Sequence, residues 1–161
     1  MQEFYALIEA GGTKFNCAIA DKQRNILVEK RFDTTTPVDT ISAVIAFFKQ
    51  QQQAGYNFSK LGLACFGPLD LNPASLSFGS ITSTPKPHWS NVDIKQQLER
   101  GLHCAVFIDT DVNAAALAEF KWGASQNTSV NIYVTVGTGV GGGVVINGQT
   151  LKGLHVNIRC S

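Results

Sequence analysis

The stretch Phe107–Ala124, FIDTDVNAAALAEFKWGA, constrains the fold most. It predicts a buried strand (Ala105–Ile108), a short acidic turn and an Ala-rich helix. Asp109, Thr110 and Asp111 stand where the helix begins, and side-chain oxygens there accept hydrogen bonds from the unpaired N–H groups of the first turn. Val112, Ala116 and Phe120 fall on one helical face, and Gly123 suits the C-terminal stop. Two carboxylates are thereby held at a strand end beside the positive pole of a helix, which favours their ionised form. A carboxylate so placed either caps the helix or takes a proton from a substrate hydroxyl, and this stretch alone leaves both open.

Earlier in the chain, Phe4–Glu9, Phe15–Ala20 and Ile26–Phe32 read as three strands joined by tight turns, an antiparallel meander. Pro37 suits the first turn of a helix running to about Gln53, with Ile41, Val44, Ile45 and Phe48 on one face and Gly55 as its breaker. Leu61–Phe66 is a buried strand closed by Gly67-Pro68. Leu69–Pro87 predicts short extended pieces, and Asn91 to about Arg100 a helix carrying Val92, Ile94 and Leu98. After a polar linker at 124–130, Asn131–Val136 and Val144–Ile146 read as strands around a glycine-rich turn, Gly137–Gly143. The order βββ-α-β-α-β-α followed by a hairpin predicts an α/β fold with a mixed sheet flanked by helices.

Two glycine-rich turns carry chemistry. Gly11-Gly12-Thr13-Lys14 lies between two strands, where glycines let backbone approach a phosphate and a hydroxyl and N–H groups bind its oxygens. By itself a pair of glycines between strands usually means only a tight hairpin. Gly137-Thr-Gly-Val-Gly-Gly-Gly143 contains GxGxxG at 137, 139 and 142, but Val144-Val145-Ile146 is β-like. The dinucleotide fingerprint requires a helix at that point and is therefore rejected.

Other classes are excluded by what the chain carries. A formal net charge of +1 with no long basic run leaves no footprint for nucleic acid or an anionic membrane. The N-terminal apolar run is too short for a signal peptide or span, which predicts a cytoplasmic protein. Cys17, Cys65, Cys104 and Cys160 contain no CxxC pair, which argues against a disulfide framework or a zinc site, and the first three lie in apolar runs and read as small hydrophobes. His88, His103 and His155 are scattered and read as surface or loop residues.

Five stretches occur in one order: EAGGTKFNCAIA (9–20), LGLACFGPLDLNP (61–73), GSITSTPKPHW (79–89), DTDVNAAALAEFKWGA (109–124) and YVTVGTGVGGG (133–143). In these the chain resembles the N-terminal part of the ROK-family sugar kinases, and the GPLDLNP, TPKPHW and DTDVNAAA wording resembles the fructokinase branch. The resemblance implies an actin-like ATPase (ribonuclease H-like) fold at 1–123, with 124–161 starting a second domain. It implies ATP and Mg²⁺, a hexose substrate, and no nucleic-acid or membrane partner. By position, Gly11, Gly12, Thr13 and Lys14 match the first phosphate motif, and Gly137, Thr138 and Gly139 the second. Asp111 matches the general base, Asn113 a polar supporting residue, and Gly67 and Pro68 the loop lining the sugar pocket. No metal-ligating residue is implied.

The resemblance departs at two places. Thr110 precedes Asp111 where many members carry Asn. Near the end, Asn157 and Cys160 stand where the family's sugar-binding Glu and His belong, and the family's Cys-rich zinc motif and most of its second domain are missing. The expectation is a truncated kinase, inactive by itself, whose 131–147 hairpin exposes apolar edges at Ile132, Val134 and Val144 and favours a homodimer. A repressor of the same family needs a helix-turn-helix before the first strand, so a first strand at Phe4 makes a kinase rather than a repressor the expectation.

Overall fold

The computed structural model describes residues 3–136, 139–151 and 158–159. Three strands, β1 (Phe4–Ala10), β2 (Lys14–Asp21) and β3 (Ile26–Asp33), form the expected meander, and helix α1 (Pro37–Gln53) follows. Thr36 caps α1 by accepting from the Asp39 amide at 3.2 Å, with Pro37 in the first turn. β4 (Lys60–Cys65), α2 (Ile94–Leu102) and β5 (Ala105–Thr110) complete a five-stranded sheet of order β3-β2-β1-β4-β5. Short turns make β1, β2 and β3 antiparallel, whereas the crossovers through α1 and α2 make β1, β4 and β5 parallel.

Alternation places Ala6, Ile8 and Ala10 of β1, Phe15, Cys17 and Ile19 of β2, and Leu61, Leu63 and Cys65 of β4 in one core. Ile41, Val44 and Phe48 of α1 and Leu98 of α2 cover that face. Cys17, Cys65 and Cys104 are free, buried thiols, as small hydrophobes should be. Burial pushes the Cys17 thiol up to about 12. His88 and His103 are exposed, as expected; His155 and Cys160 lie outside the described residues.

Three sequence expectations need correction. α2 begins at Ile94 rather than Asn91, because Asn91 is left-handed (φ 61°) and the Asp93 carboxylate accepts from the Gln96 amide as the cap. β5 does not stop at Ile108 before an acidic turn. Asp109 and Thr110 stay in the sheet, opposite Ala64 and Cys65, and the chain passes directly into α3 (Asp111–Trp122). The third correction concerns the glycine run. β7 (Gly139–Ile146) runs through the glycines and pairs antiparallel with β6 (Val130–Val136), so Gly139–Gly143 are strand residues.

Gly143 is dictated by the packing of α3 on β7. A Cβ on Gly143 would strike the Val112 carbonyl and stand 2.8 Å from the Asn113 amide nitrogen. β8 (Gln149–Thr150) and β9 (Ile158–Arg159) both pair with β7 in this second, antiparallel sheet. On its far face Val130, Ile132, Val134 and Val136 are exposed by 52, 63, 55 and 78%. Ile132 and Val134 thus expose the apolar surface expected of them, while Val144 is half-buried.

Candidate active site

Ligands of α/β sheets bind outside the carboxyl ends of parallel strands. Three such ends lie side by side here. Ala10 of β1, Cys65 of β4 and Thr110 of β5 occupy one row of the sheet, and each is followed by a sequence-predicted site residue. Gly11-Gly12-Thr13 follows β1, Gly67-Pro68 lies just past β4, and Asp111 follows β5. The Phe66 amide donates to the Ala10 carbonyl at 2.8 Å, tying the first two ends together.

The Gly11 turn is closed by its own backbone, the Gly11 amide donating to the Lys14 carbonyl at 2.9 Å. Gly12, Thr13 and Lys14 are exposed, and a Cβ on Gly12 would meet nothing within 4 Å. This open turn therefore presents a hydroxyl and an ammonium to solvent, a donor set suited to phosphate oxygens. Lys14 is the first residue of β2 rather than part of the turn. Gly67 and Pro68 are joined by a cis peptide and half-buried. The Pro68 carbonyl accepts from the Thr82 amide at 2.8 Å, which holds this loop to the 79–89 segment.

At the start of α3 neither Asp is the cap. Thr110 is, its hydroxyl accepting from the Asn113 amide at 3.2 Å. Asp109 faces inward, accepting from Asn113 Nδ2 at 2.7 Å and from the Thr150 hydroxyl at 3.2 Å. The Asp111 carboxylate accepts only the adjacent Val112 amide, at 2.9 Å, among the described residues. The alternative that Asp111 merely caps the helix is thus removed by the cap's actual identity.

The pull of the helix pole toward the ionised form of Asp111 is opposed by its surroundings. Burial raises its pKa above the ordinary Asp value and outweighs the Val112 amide, and the Glu9 carboxylate adds a smaller upward push. A half-buried carboxylate of raised basicity accepts a hydroxyl proton more readily. Glu9 is a residue that the motif reading missed. It sits in the same sheet row as Asp109, with the small Ala64 between, and its Oε2 accepts from Asn16 Nδ2 at 2.7 Å. An acidic residue two before a glycine turn was the available signal.

Asn113 is buried and its Nδ2 donates to the Asp109 carboxylate. Gly137 and Thr138 lie outside the described residues, and Gly139 opens β7 opposite Arg159. A surface cleft of about 670 Å³ between Pro73–Phe78 and α2 contains none of these residues.

Comparison with known proteins follows the same outline. A family model described as "ROK family" matches residues 5–157. The chain belongs to the ROK family. It is 48% identical over 154 residues to a fructokinase of Zymomonas mobilis, a match covering 95% of this chain and 51% of that one. It superposes on the ROK hexokinase of Thermus thermophilus with TM-score 0.77 at 31% identity, covering 94% of this chain and 50% of the hexokinase. It superposes on a ROK glucokinase of Streptomyces griseus, solved with glucose and AMPPNP, with TM-score 0.78 at 26% identity, covering 96% and 47%. The fold is thus the actin-like ATPase fold of the ROK sugar kinases, and the chain spans about half the length of the relatives it matches.

Proposed function

We propose that this chain carries the sugar-activating half of an ATP-dependent hexose kinase, with fructose as the substrate. The observation that carries the reading is Asp111: an uncapped, half-buried carboxylate of raised pKa, in line with an open glycine turn across the carboxyl ends of parallel strands. Asp111 takes the proton of the attacking sugar hydroxyl. Gly67 and Pro68 line the sugar side, and Asn113 supports the site through Asp109. Gly11, Gly12, Thr13 and Lys14, with Gly137, Thr138 and Gly139, hold the ATP phosphates. Phosphoryl transfer asks little covalent chemistry of a protein beyond such positioning and charge neutralisation.

Mg²⁺ fits this donor set, since it is held by one or two carboxylates together with substrate phosphates rather than by an all-protein cage. Glu9 and Asp111 are the carboxylates at hand, and among the described residues no cluster of three or more metal-ligating side chains occurs. We place the domain division at 1–123 and 124–161, with α3 packed between the two sheets, and the protein in the cytoplasm. No helix among the described residues is long and apolar enough to cross a membrane.

A second reading is favoured by the exposed face of β6: a folded module that binds sugar or a second copy of itself without turning over. A coupled assay of the purified chain with Mg–ATP, comparing fructose, glucose, mannose and N-acetylmannosamine, separates the two. Fructose-dependent turnover that Asp111→Asn abolishes supports the kinase. Absence of turnover with a cooperative melt supports the binding module. Turnover unchanged in Asp111→Asn overturns the assignment of the base.

A further inference from the structure

The 79–89 segment touches the loop beyond β4 and the Thr34-Thr35 stretch that follows β3 by separate sets of bonds. On one side, Leu69 and Ile81 form an antiparallel bridge, and the Thr82 amide and hydroxyl donate to the Pro68 carbonyl at 2.8 and 3.2 Å. On the other side, Lys86 Nζ donates to the Thr34 carbonyl at 2.9 Å, and Trp89 Nε1 to the Thr35 carbonyl at 2.8 Å.

Thr34 in turn grips the glycine turn twice. Its hydroxyl donates to the Gly11 carbonyl at 2.7 Å, and its amide donates to the Thr13 carbonyl at 2.9 Å. Thr34 is buried, so these are low-dielectric bonds whose loss leaves carbonyls poorly paired. Trp89 is fully buried and packs its ring against Phe15, one residue past Lys14, and against Phe66, one residue before Gly67, at 5.5 and 5.6 Å. The same segment therefore fixes both turns, and Thr34 and Lys86 are the polar links between them.

We propose that Thr82–Trp89 is a strut that sets the glycine turn against the Gly67-Pro68 loop, with Thr34 and Lys86 as positioning residues. That the strut spaces a phosphate site from a sugar site rests on the proposed kinase reading; the mechanical link does not. The strut predicts that a change on the 79–89 side is felt in the glycine turn, where Lys86 has no direct bond.

The test is residue-resolved amide hydrogen exchange on the 161-residue chain for Thr34→Val, Thr34→Ser and Lys86→Met. Loss of one buried or charge-assisted bond corresponds to an exchange increase of about 10-fold in the opened segment. Thr34→Val and Lys86→Met should each raise exchange at Gly11–Lys14 by that factor and leave β6 unchanged. Thr34→Ser, which keeps the hydroxyl, should restore the parent rates. An effect below about twofold at the turn, or a uniform rise across the chain, overturns the strut. Mg–ATP affinity measured on the same proteins should fall in Thr34→Val and recover in Thr34→Ser. A parent chain that binds no Mg–ATP defeats the kinase reading while the exchange pattern still decides the strut.

Discussion

Gly143 is the position where the structure makes its most pointed energetic claim. Replacing it with Ala adds one methyl group that meets the Val112 carbonyl and the Asn113 amide. These are backbone atoms of the first turn of α3, so no rotamer change relieves the clash. Either the helix start moves off the strand or the strand bows away from its partner β6. Overpacking of a tight core costs about 1–3 kcal/mol where side chains can adjust, and a backbone obstacle places this substitution at the top of that range. Gly142, the next residue along β7, is an internal control: a Cβ there meets nothing within 4 Å. Gly142→Ala should be neutral or gain up to about 1 kcal/mol from the stiffer unfolded chain. Two alanines one residue apart should therefore differ by about 3–4 kcal/mol, which urea denaturation of the two variants measures. In a chain of this size that difference is worth about 6–16 °C in melting temperature. Gly143→Ala within about 0.5 kcal/mol of Gly142→Ala would refute the argument that close approach of α3 dictates this glycine.

Other perturbations give equally specific outcomes. Burial raises the Asp111 pKa, so the folded state keeps that proton to a higher pH than the unfolded chain does. The resulting stability is complete below the ordinary Asp value and is lost as pH rises through the raised one. Asp111→Asn should therefore increase the melting temperature at neutral pH and leave it nearly unchanged in acid; an equal shift at both would contradict the burial argument. Cys17 and Cys65 are buried thiols pushed well above their ordinary pKa, so peptide mapping after iodoacetamide should find both unmodified in the native chain and both labelled in urea. Trp89→Phe removes the bond from the fully buried indole Nε1 to the Thr35 carbonyl and should cost about 1–3 kcal/mol, read by the same urea titration. If the apolar face of β6 pairs two copies, Val134→Lys should shift a sedimentation profile to the monomer, and an unchanged profile would remove that face from the contact.

Much of this arrangement was legible in the residues. Alternation and tight turns gave the meander, and Thr36-Pro37 gave the start of α1, because these signals are local. The strand-to-helix junction at 109–111 was located, but which of its residues caps the helix was left open. Whether Thr110 or a neighbouring Asp caps α3 depends on how far β5 stays paired with β4, which is a long-range fact. The direction of the Asp111 shift was hidden for the same reason, since the helix start is local while burial and the opposing Glu9 come from other elements. The glycine run misled more instructively. GTGVGGG has the composition of a turn, yet Gly143 is a strand residue because a helix from earlier in the chain lies against it. Thr34 carried no sequence signal at all; one threonine among three becomes a link only when Gly11 and Lys86 are brought to it.

The central claim is that the carboxyl ends of β1, β4 and β5 form one site for phosphate and sugar. Backbone amide spectra of the ¹⁵N-labelled chain, recorded while fructose and Mg–ATP are added, test it most directly. The account predicts shifts concentrated at Gly11–Lys14, Gly67, Leu69 and Asp109–Asn113, with the glycine turn responding to Mg–ATP and the Gly67 loop to fructose. Shifts confined to the surface between Pro73–Phe78 and α2, or no shifts at saturating ligand, would contradict it.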